Sequence, residues 1–596
     1  MNRFLISKLP LINLQSNLAS FAGSKRGNFF QNEPKISNQY EEDPFLREQL
    51  EIEIPKEYLK EIEPDLYQFG HQVATNIFQL SLECEKNVPR LEKFDAWGNR
   101  IDKLIVCEAW KQMKNISAKE GLIAIPYENN FSIYSRLYQI AKLYLFAPSS
   151  GLYSCPLAMT DGAARTIQAI GVQEFTKEAY ERLTSRDPNK FWTSGQWMTE
   201  RKGGSDVSEG TETEAYIQTG DHYKLYGFKW FSSATDSDMT VTLARIMDQN
   251  NKPSKDLTMF FAKIRKDDES LNGVEIQRLK NKLGTRQLPT AELLLDGMDA
   301  YRMSEIGKGV SRVSSMLNIT RIHNSLNAIA FMRRAINFAR DYATKRKAFG
   351  KLIIEHDLHC HTLGNMEVEC RASLLTLFFV AKLLGKMECN QASKEELELL
   401  RFITPLLKIY TAKQSIAVTS ECIEAIGGQG YIEDTGIPNL LRDSQVLSIW
   451  EGTTNILSLD ALRSIKKSNG ESLQIFFKHI LKTCEQAKKF DRLLEKSVIL
   501  EKMSKKVLKF VQINNNELVV GAREFSFGLY RLFTACLIME RCMKTNLKET
   551  DLFLLEKWFN QDLIPVVTNS AKNFYTKDSL KINKHFFMNG HPSFEA

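Results

Sequence analysis

Apolar positions in this chain change period twice, from helical to strand and back, and the changes divide it. Leu66, Phe69, Val73, Ile77 and Leu80 recur at steps of three or four, which predicts one helix face within a helical stretch from about 49 to 147. Between about 192 and 301 the runs become short and alternating. His222-Tyr223-Lys224-Leu225-Tyr226, bounded by Thr219-Gly220-Asp221 and Gly227, predicts a strand, as do 257–261 and 291–295. From 309 the helical period returns. Ile322, Leu326, Ile329, Met332, Ile336, Ala339 and Ala343 trace one stripe, and Leu406, Ile409, Ile416, Ile423 and Ile426 trace another, as in an antiparallel bundle. Beyond 464 the chain is again helical and more basic. The expected fold class is α+β and mostly helical. Its parts are a terminus at 1–26, an N-terminal helical domain at 27–191, a small middle β domain at 192–303, a helical bundle at 304–468 and an appended basic helical domain at 469–596.

At 596 residues the chain is too long for one core. Its 43% hydrophobic and 25% charged content is that of a soluble globular protein. A net charge of +7 admits anionic ligands such as nucleotides, coenzyme A or nucleic acid without demanding any. Ten cysteines without a C-x-x-C pair read as reduced thiols. His356, His359 and His361 lie near Cys360, but no second ligand cluster matches them, so no metal site is expected. The longest apolar run, 372–385, is interrupted by Lys382, so no membrane span is expected. The first 32 residues lack Asp and Glu but contain Arg3, Lys8, Lys25 and Arg26. That composition fits a mitochondrial transit peptide, with a flexible terminus and a cytoplasmic location as the alternative.

Three separated motifs carry the chemistry. Trp450-Glu451-Gly452-Thr453-Thr454-Asn455 sets one carboxylate between an apolar approach and a glycine. A poorly solvated carboxylate there is a stronger base, and the glycine admits close approach of a ligand. The second motif, 197–206, joins two glycines, Gly203 and Gly204, to the hydroxyls of Thr199 and Ser205. Phe228-Lys229-Trp230-Phe231-Ser232-Ser233 downstream adds a flat aromatic wall and small donors. An isoalloxazine ring needs its faces covered and its polar edge held by a few donors. The third, Lys345-Arg346-Lys347-Ala348-Phe349-Gly350-Lys351, suits a pyrophosphate contact through Arg346. No G-x-G-x-x-G lies between a strand and a helix, so a Rossmann site is not expected.

Together these residues resemble the acyl-CoA dehydrogenase family over nearly all of 27–464. The AidB-like branch is the most similar, on Gly27-Asn28-Phe29-Phe30-Gln31, the run 94–102, Cys155-Pro156-Leu157-Ala158-Met159-Thr160 and Ser448-Ile449-Trp450-Glu451-Gly452. The resemblance implies FAD lined by Met198, Thr199 and Ser205, with Trp230 and Ser232 on its other flank. Arg346 and Phe349 match positions that reach the FAD of a neighbouring subunit, so a homo-oligomer, dimer or tetramer, is implied. Gly427 and Gly428 would close over the adenine-side half, and Thr453 would follow the base. Glu451 falls on the family's catalytic glutamate. The implied reaction oxidises an acyl-CoA to its 2-enoyl-CoA, with the α proton going to Glu451 and a β hydride to flavin. Electrons would pass to an electron-transfer flavoprotein. Arg201 and Lys202 depart from the usual small or proline residues, and Asp357 and Glu424 stand at positions often held by Gln.

The rival reading is a DNA-associated or acyl-CoA-sequestering flavoprotein with vestigial dehydrogenase activity. The appended segment 469–596 carries six more basic than acidic residues. Lys489, Arg492, Lys496, Lys502, Lys505, Lys506 and Lys509 recur at helical spacing, although Glu485, Asp491, Glu495 and Glu501 are interleaved. Such mixed stripes are ordinarily solvated faces, so nucleic acid is the less favoured partner.

Overall fold

The computed structural model describes residues 32–592. The transit-peptide expectation and the 27–31 motif lie outside them. The N-terminal domain is helical, as the spacing predicts, with two differences. Leu66, Phe69, Val73 and Ile77 are all fully buried, but Leu66 and Phe69 belong to helix Lys56–Gln72, Val73 caps its end, and Ile77 belongs to a second helix, Asn76–Lys86. Thr75 leaves helical geometry, and its hydroxyl donates to the His71 carbonyl at 2.9 Å, a local bond that competes with helix continuation. The stretch expected to be helical also holds a β-hairpin, Arg90–Phe94 with Arg100–Ile105. Its turn is set by Asp95, whose carboxylate accepts from the Trp97 and Asn99 amides at 2.8 Å. Both strands are mostly polar and exposed, so no apolar alternation announced them.

In the middle domain five strands close into a ring. Glu214–Thr219 pairs with His222–Ser233, which pairs with Thr290–Arg302. That strand meets Thr258–Lys263, which meets Met239–Ile246, and this last strand returns in parallel to Glu214–Thr219. Ser194–Trp197 adds in parallel to Met239–Ile246. The strand predicted to stop at Gly227 runs on to Ser233. Gly227 is a glycine because the backbone of Thr213 lies where a Cβ would stand, 2.8 Å away. Side chains alternate as a pleat requires. Phe260 faces the barrel core with Trp197, Leu225 and Leu293, while Met259 and Phe261 face outward against Ala163, Ile167 and Met316.

Three long helices form the bundle, Gly309–Ala343, Asp357–Glu388 and Lys394–Ile426. Every residue of the first predicted stripe, from Ile322 to Ala343, is buried. Ser393 and Glu396 make a reciprocal capping box at the start of the third helix. Gly427, at φ +76°, ends it. The appended domain, led by Glu471–Ala487, Asp491–Ile513 and Ala522–Lys544, docks on this bundle. Tyr410 stacks on Tyr530 at 4.1 Å, and Arg541 pairs with Asp551 while reaching Glu48 and Gln49 of the first N-terminal helix at 2.7 Å. Among the described residues no helix is long and apolar enough to cross a membrane.

Candidate active site

The site forms where the bundle meets the barrel. After helix Pro438–Leu447 the chain turns, and the Trp450 indole donates to the buried Asn324 amide oxygen on the long helix. Glu451 then adopts a left-handed backbone, φ +57°, and Gly452 follows at +105°. Four side chains from two bundle helices and one strand hold this turn. The Thr320 hydroxyl donates to the Glu451 carboxylate, and Arg321 Nε donates to the Glu451 carbonyl at 3.3 Å. Lys408 Nζ donates to the Gly452 carbonyl at 2.6 Å, and Gln196 of the barrel donates to the Glu451 carboxylate. Helix Thr454–Lys467 begins immediately afterwards with Thr453 as its N-cap.

Burial raises the pKa of Glu451, and the Thr320 hydroxyl and the Arg321 and Lys408 cations only partly offset it. Burial likewise pushes Lys408 down to about 7 despite the attraction of Glu451. Cys155 faces the same region, and burial pushes its thiol up to about 12. The helix that carries Cys155 is anchored at Asp161, which pairs with Arg136 at 2.7 Å and with His323 of the long helix at 2.9 Å.

The two halves of the expected flavin cradle meet. The Trp230 amide donates to the Thr199 carbonyl at 2.9 Å, so the 198–205 loop lies against the 228–233 strand. A buried ion pair fixes the loop from beneath. Glu200 binds Lys229 at 2.7 Å and accepts from the Glu212 and Thr213 amides. Burial would raise Glu200, but Lys229 and these donors hold it below the usual carboxylate value. Gly203, at φ +117°, turns the loop back, and a Cβ on Gly204 would lie 2.5 Å from the Thr199 hydroxyl. Met198 is buried, Thr199 half-buried, and Ser205 exposed at the lip. Lys280 sits 3.4 Å from the centre of the Trp230 ring.

Two buried atoms at this junction have no partner among the described residues, Gln196 Oε1 and Ser232 Oγ. Orphaned polar atoms beside an aromatic wall and a tight glycine loop fit a planar ligand with a polar edge, which is what a flavin presents. Sequence reasoning placed Ser232 here. It missed Gln196, Thr320, Arg321 and Lys408, which lie 44 or more residues from their targets; the available signal was a lysine, Lys408, inside the apolar run 405–412. Arg346 and Phe349 lie on a hairpin beyond the long helix, and Phe349 is 97% exposed. Gly427 and Gly428 are exposed, with nothing within 4 Å of an added Cβ. Phe349, Gly427 and Gly428 lie open at the surface of the single chain, and Arg346 is half-buried. A separate cluster, His479, Cys536 and Glu540 in the appended domain, is satisfied internally, with Glu540 accepting from His479 at 3.1 Å and from Thr483 at 2.7 Å.

Four family models match in succession. They are the adaptive response protein AidB N-terminal domain (31–189), the acyl-CoA dehydrogenase middle domain (195–298), the acyl-CoA dehydrogenase C-terminal domain (307–466) and an acyl-CoA dehydrogenase 11 C-terminal domain-like region (471–588). The chain is 46% identical to acyl-CoA dehydrogenase family member 11 of Caenorhabditis elegans over 535 residues, 87% of this chain and 86% of that protein. It is 28% identical to AidB of Escherichia coli over 414 residues, 68% of this chain and 74% of that protein. The crystal structure of C. elegans ACDH-11 in complex with C11-CoA superposes with a TM-score of 0.92 at 42% identity, covering 96% of this chain and 98% of that one. A Bacillus anthracis acyl-CoA dehydrogenase complexed with FAD shares the fold at 19% identity, TM-score 0.63, over 81% of this chain and 86% of that one. The chain belongs to the acyl-CoA dehydrogenase family, within its AidB-like branch.

Proposed function

We propose that this chain is an FAD-dependent dehydrogenase that oxidises an acyl-CoA thioester to its 2-enoyl-CoA. The observation that carries the reading is the Glu451 carboxylate. It is desolvated, held by Thr320 and Gln196 on a turn pinned by Arg321 and Lys408, and it lies where the bundle abuts the cradle strand. FAD, bound by Met198, Thr199, Ser205, Trp230 and Ser232, would supply the two-electron oxidation of the Cα–Cβ bond. Glu451 takes the α proton, and its desolvation gives the carboxylate the basicity that step needs. The Glu451 amide is suited to donate to the thioester carbonyl and so stabilise charge as the proton leaves. Gln196 and Thr320 hold the carboxylate in one orientation, a positioning effect that only works on a rigid frame.

A medium-length acyl-CoA is the ligand of choice for a first assay, since C11-CoA is bound by the related C. elegans protein. We further propose a homo-oligomer in which Arg346 and Phe349 of each subunit complete the partner's FAD site, an electron-transfer flavoprotein as acceptor, and a mitochondrial location. The sequestering alternative uses the same pocket with slow chemistry. The DNA-associated alternative is weakened by ion pairing within the basic stripe: Arg492 pairs with Glu549, Lys496 with Glu556 and Lys505 with Glu501.

Anaerobic bleaching of the bound flavin by acyl-CoAs of graded length tests the reading. The wild type should bleach, and Glu451→Gln should retain flavin but bleach at least about a thousandfold more slowly, as expected for loss of the proton acceptor. A flavin-loaded wild type that no acyl-CoA bleaches would overturn the reading.

A further inference from the structure

The last helix of the described chain, Lys577–Met588, has no fully buried residue, and only Ser579, Leu580 and Met588 are partly covered. Its sequence is nonetheless two-faced. At 100° per residue Ile582, Phe586, Phe587 and Leu580 fall within one arc, and Lys577, Lys581 and Lys584 within the opposite one. Phe586 and Phe587 are 83% and 84% exposed, and Ile582 is 67% exposed. Phe574, just before the helix, is half exposed as well. A soluble domain ordinarily leaves no such contiguous face in water, so the face has an occupant.

Charge decides among the occupants. A second copy of the same helix would cover the apolar arc but leave Lys577, Lys581 and Lys584 without a counter-charge. A duplex nucleic acid would satisfy Lys577, Lys581 and Lys584 but leave two phenylalanines and an isoleucine against phosphate. An anionic lipid surface satisfies both faces at once, with the apolar arc entering the acyl boundary and the lysines meeting headgroup phosphates. We propose that Lys577–Met588 docks this protein reversibly on anionic membrane surfaces, lying in the plane of the interface. The inference is independent of the chemistry at Glu451. A single helix of this length gives a weak, salt-sensitive attachment rather than an anchor.

The test is flotation of the full-length protein with phosphatidylcholine vesicles, with and without phosphatidylglycerol. Protein should float with the anionic vesicles only, and added salt should release it. Phe586→Ser/Phe587→Ser and Lys581→Glu/Lys584→Glu should each lower the bound fraction by about tenfold or more, with flavin content and melting temperature unchanged. No flotation of the wild type, or flotation that neither double variant reduces, overturns the proposal. So does an oligomer that dissociates in light scattering when the phenylalanines are changed, because a second copy is then the occupant. Duplex DNA binding that the lysine variant loses and the phenylalanine variant keeps, without flotation, would assign the face to nucleic acid instead.

Discussion

Lys408 shows no exposed surface, and its ammonium donates to one backbone oxygen, that of Gly452. Replacing it by methionine, similar in length and without charge, removes a charge-assisted bond of about 1.5–3 kcal/mol. We expect flavin reduction by acyl-CoA to slow by about 10- to 100-fold. The sign of the pH effect also follows. Reduction needs Glu451 ionised, so its rate rises with pH through the raised pKa of that residue. Lys408 lowers that pKa, so in Lys408→Met the acid limb of the rate profile should move to higher pH. A limb that stays in place while only the melting temperature falls would make Lys408 merely structural. Glu451 itself was legible in the sequence, because Trp before it and Gly after it are adjacent in the chain. Its supports were not legible: Thr320, Arg321 and Lys408 reach it across 131, 130 and 44 residues, and no local pattern encodes that meeting.

Among the elements, the helices Asp357–Glu388 and Lys394–Ile426 present the surface on which the appended domain sits. Tyr410 lies flat on Tyr530, and its hydroxyl stands within hydrogen-bond reach of Glu369 at 3.1 Å and of Gln561 at 3.2 Å. Burial pushes the Glu369 carboxyl up to about 7. Between its ordinary value of 4.5 and about 7 the native protein keeps a proton that the unfolded chain has released, so this contribution to stability is lost as pH rises through that window. Glu369→Gln keeps the hydrogen bond without the ionisation. Its melting temperature relative to wild type should therefore climb from pH 5 to pH 8 in calorimetry; a constant difference would show that Glu369 does not titrate there. Elements with long apolar stripes were read correctly from sequence, because burial on one face leaves a periodic trace over many turns. The hairpin Arg90–Ile105 and the break at Thr75 left none. The hairpin's outward faces are polar on both sides, and the break preserves the buried side of the helix it interrupts.

At the scale of the whole molecule, a single chain leaves Phe349, Leu358 and Tyr431 more than three-quarters exposed. Phenylalanine on a left-handed hairpin turn, φ +51°, is costly in water, and the proposed homo-oligomer would give it a subunit to contact. Phe349→Asp should reduce the mass seen by light scattering and, if the partner completes the cofactor site, lower flavin retention in parallel. Unchanged mass would remove Phe349 from the interface. The order of helical, β, helical and appended parts was legible in the sequence, yet the clasp that holds the ends together was not. Arg541 meets Glu48 across 493 residues, a contact created only by docking. The left-handed backbone at Glu451 has a consequence for anyone who would redesign this protein. Glycine adopts that conformation freely, whereas a side chain there costs about 1 kcal/mol or more. A screen for thermostability alone would favour erasing the carboxylate, so at position 451 robustness and chemistry pull the sequence in opposite directions.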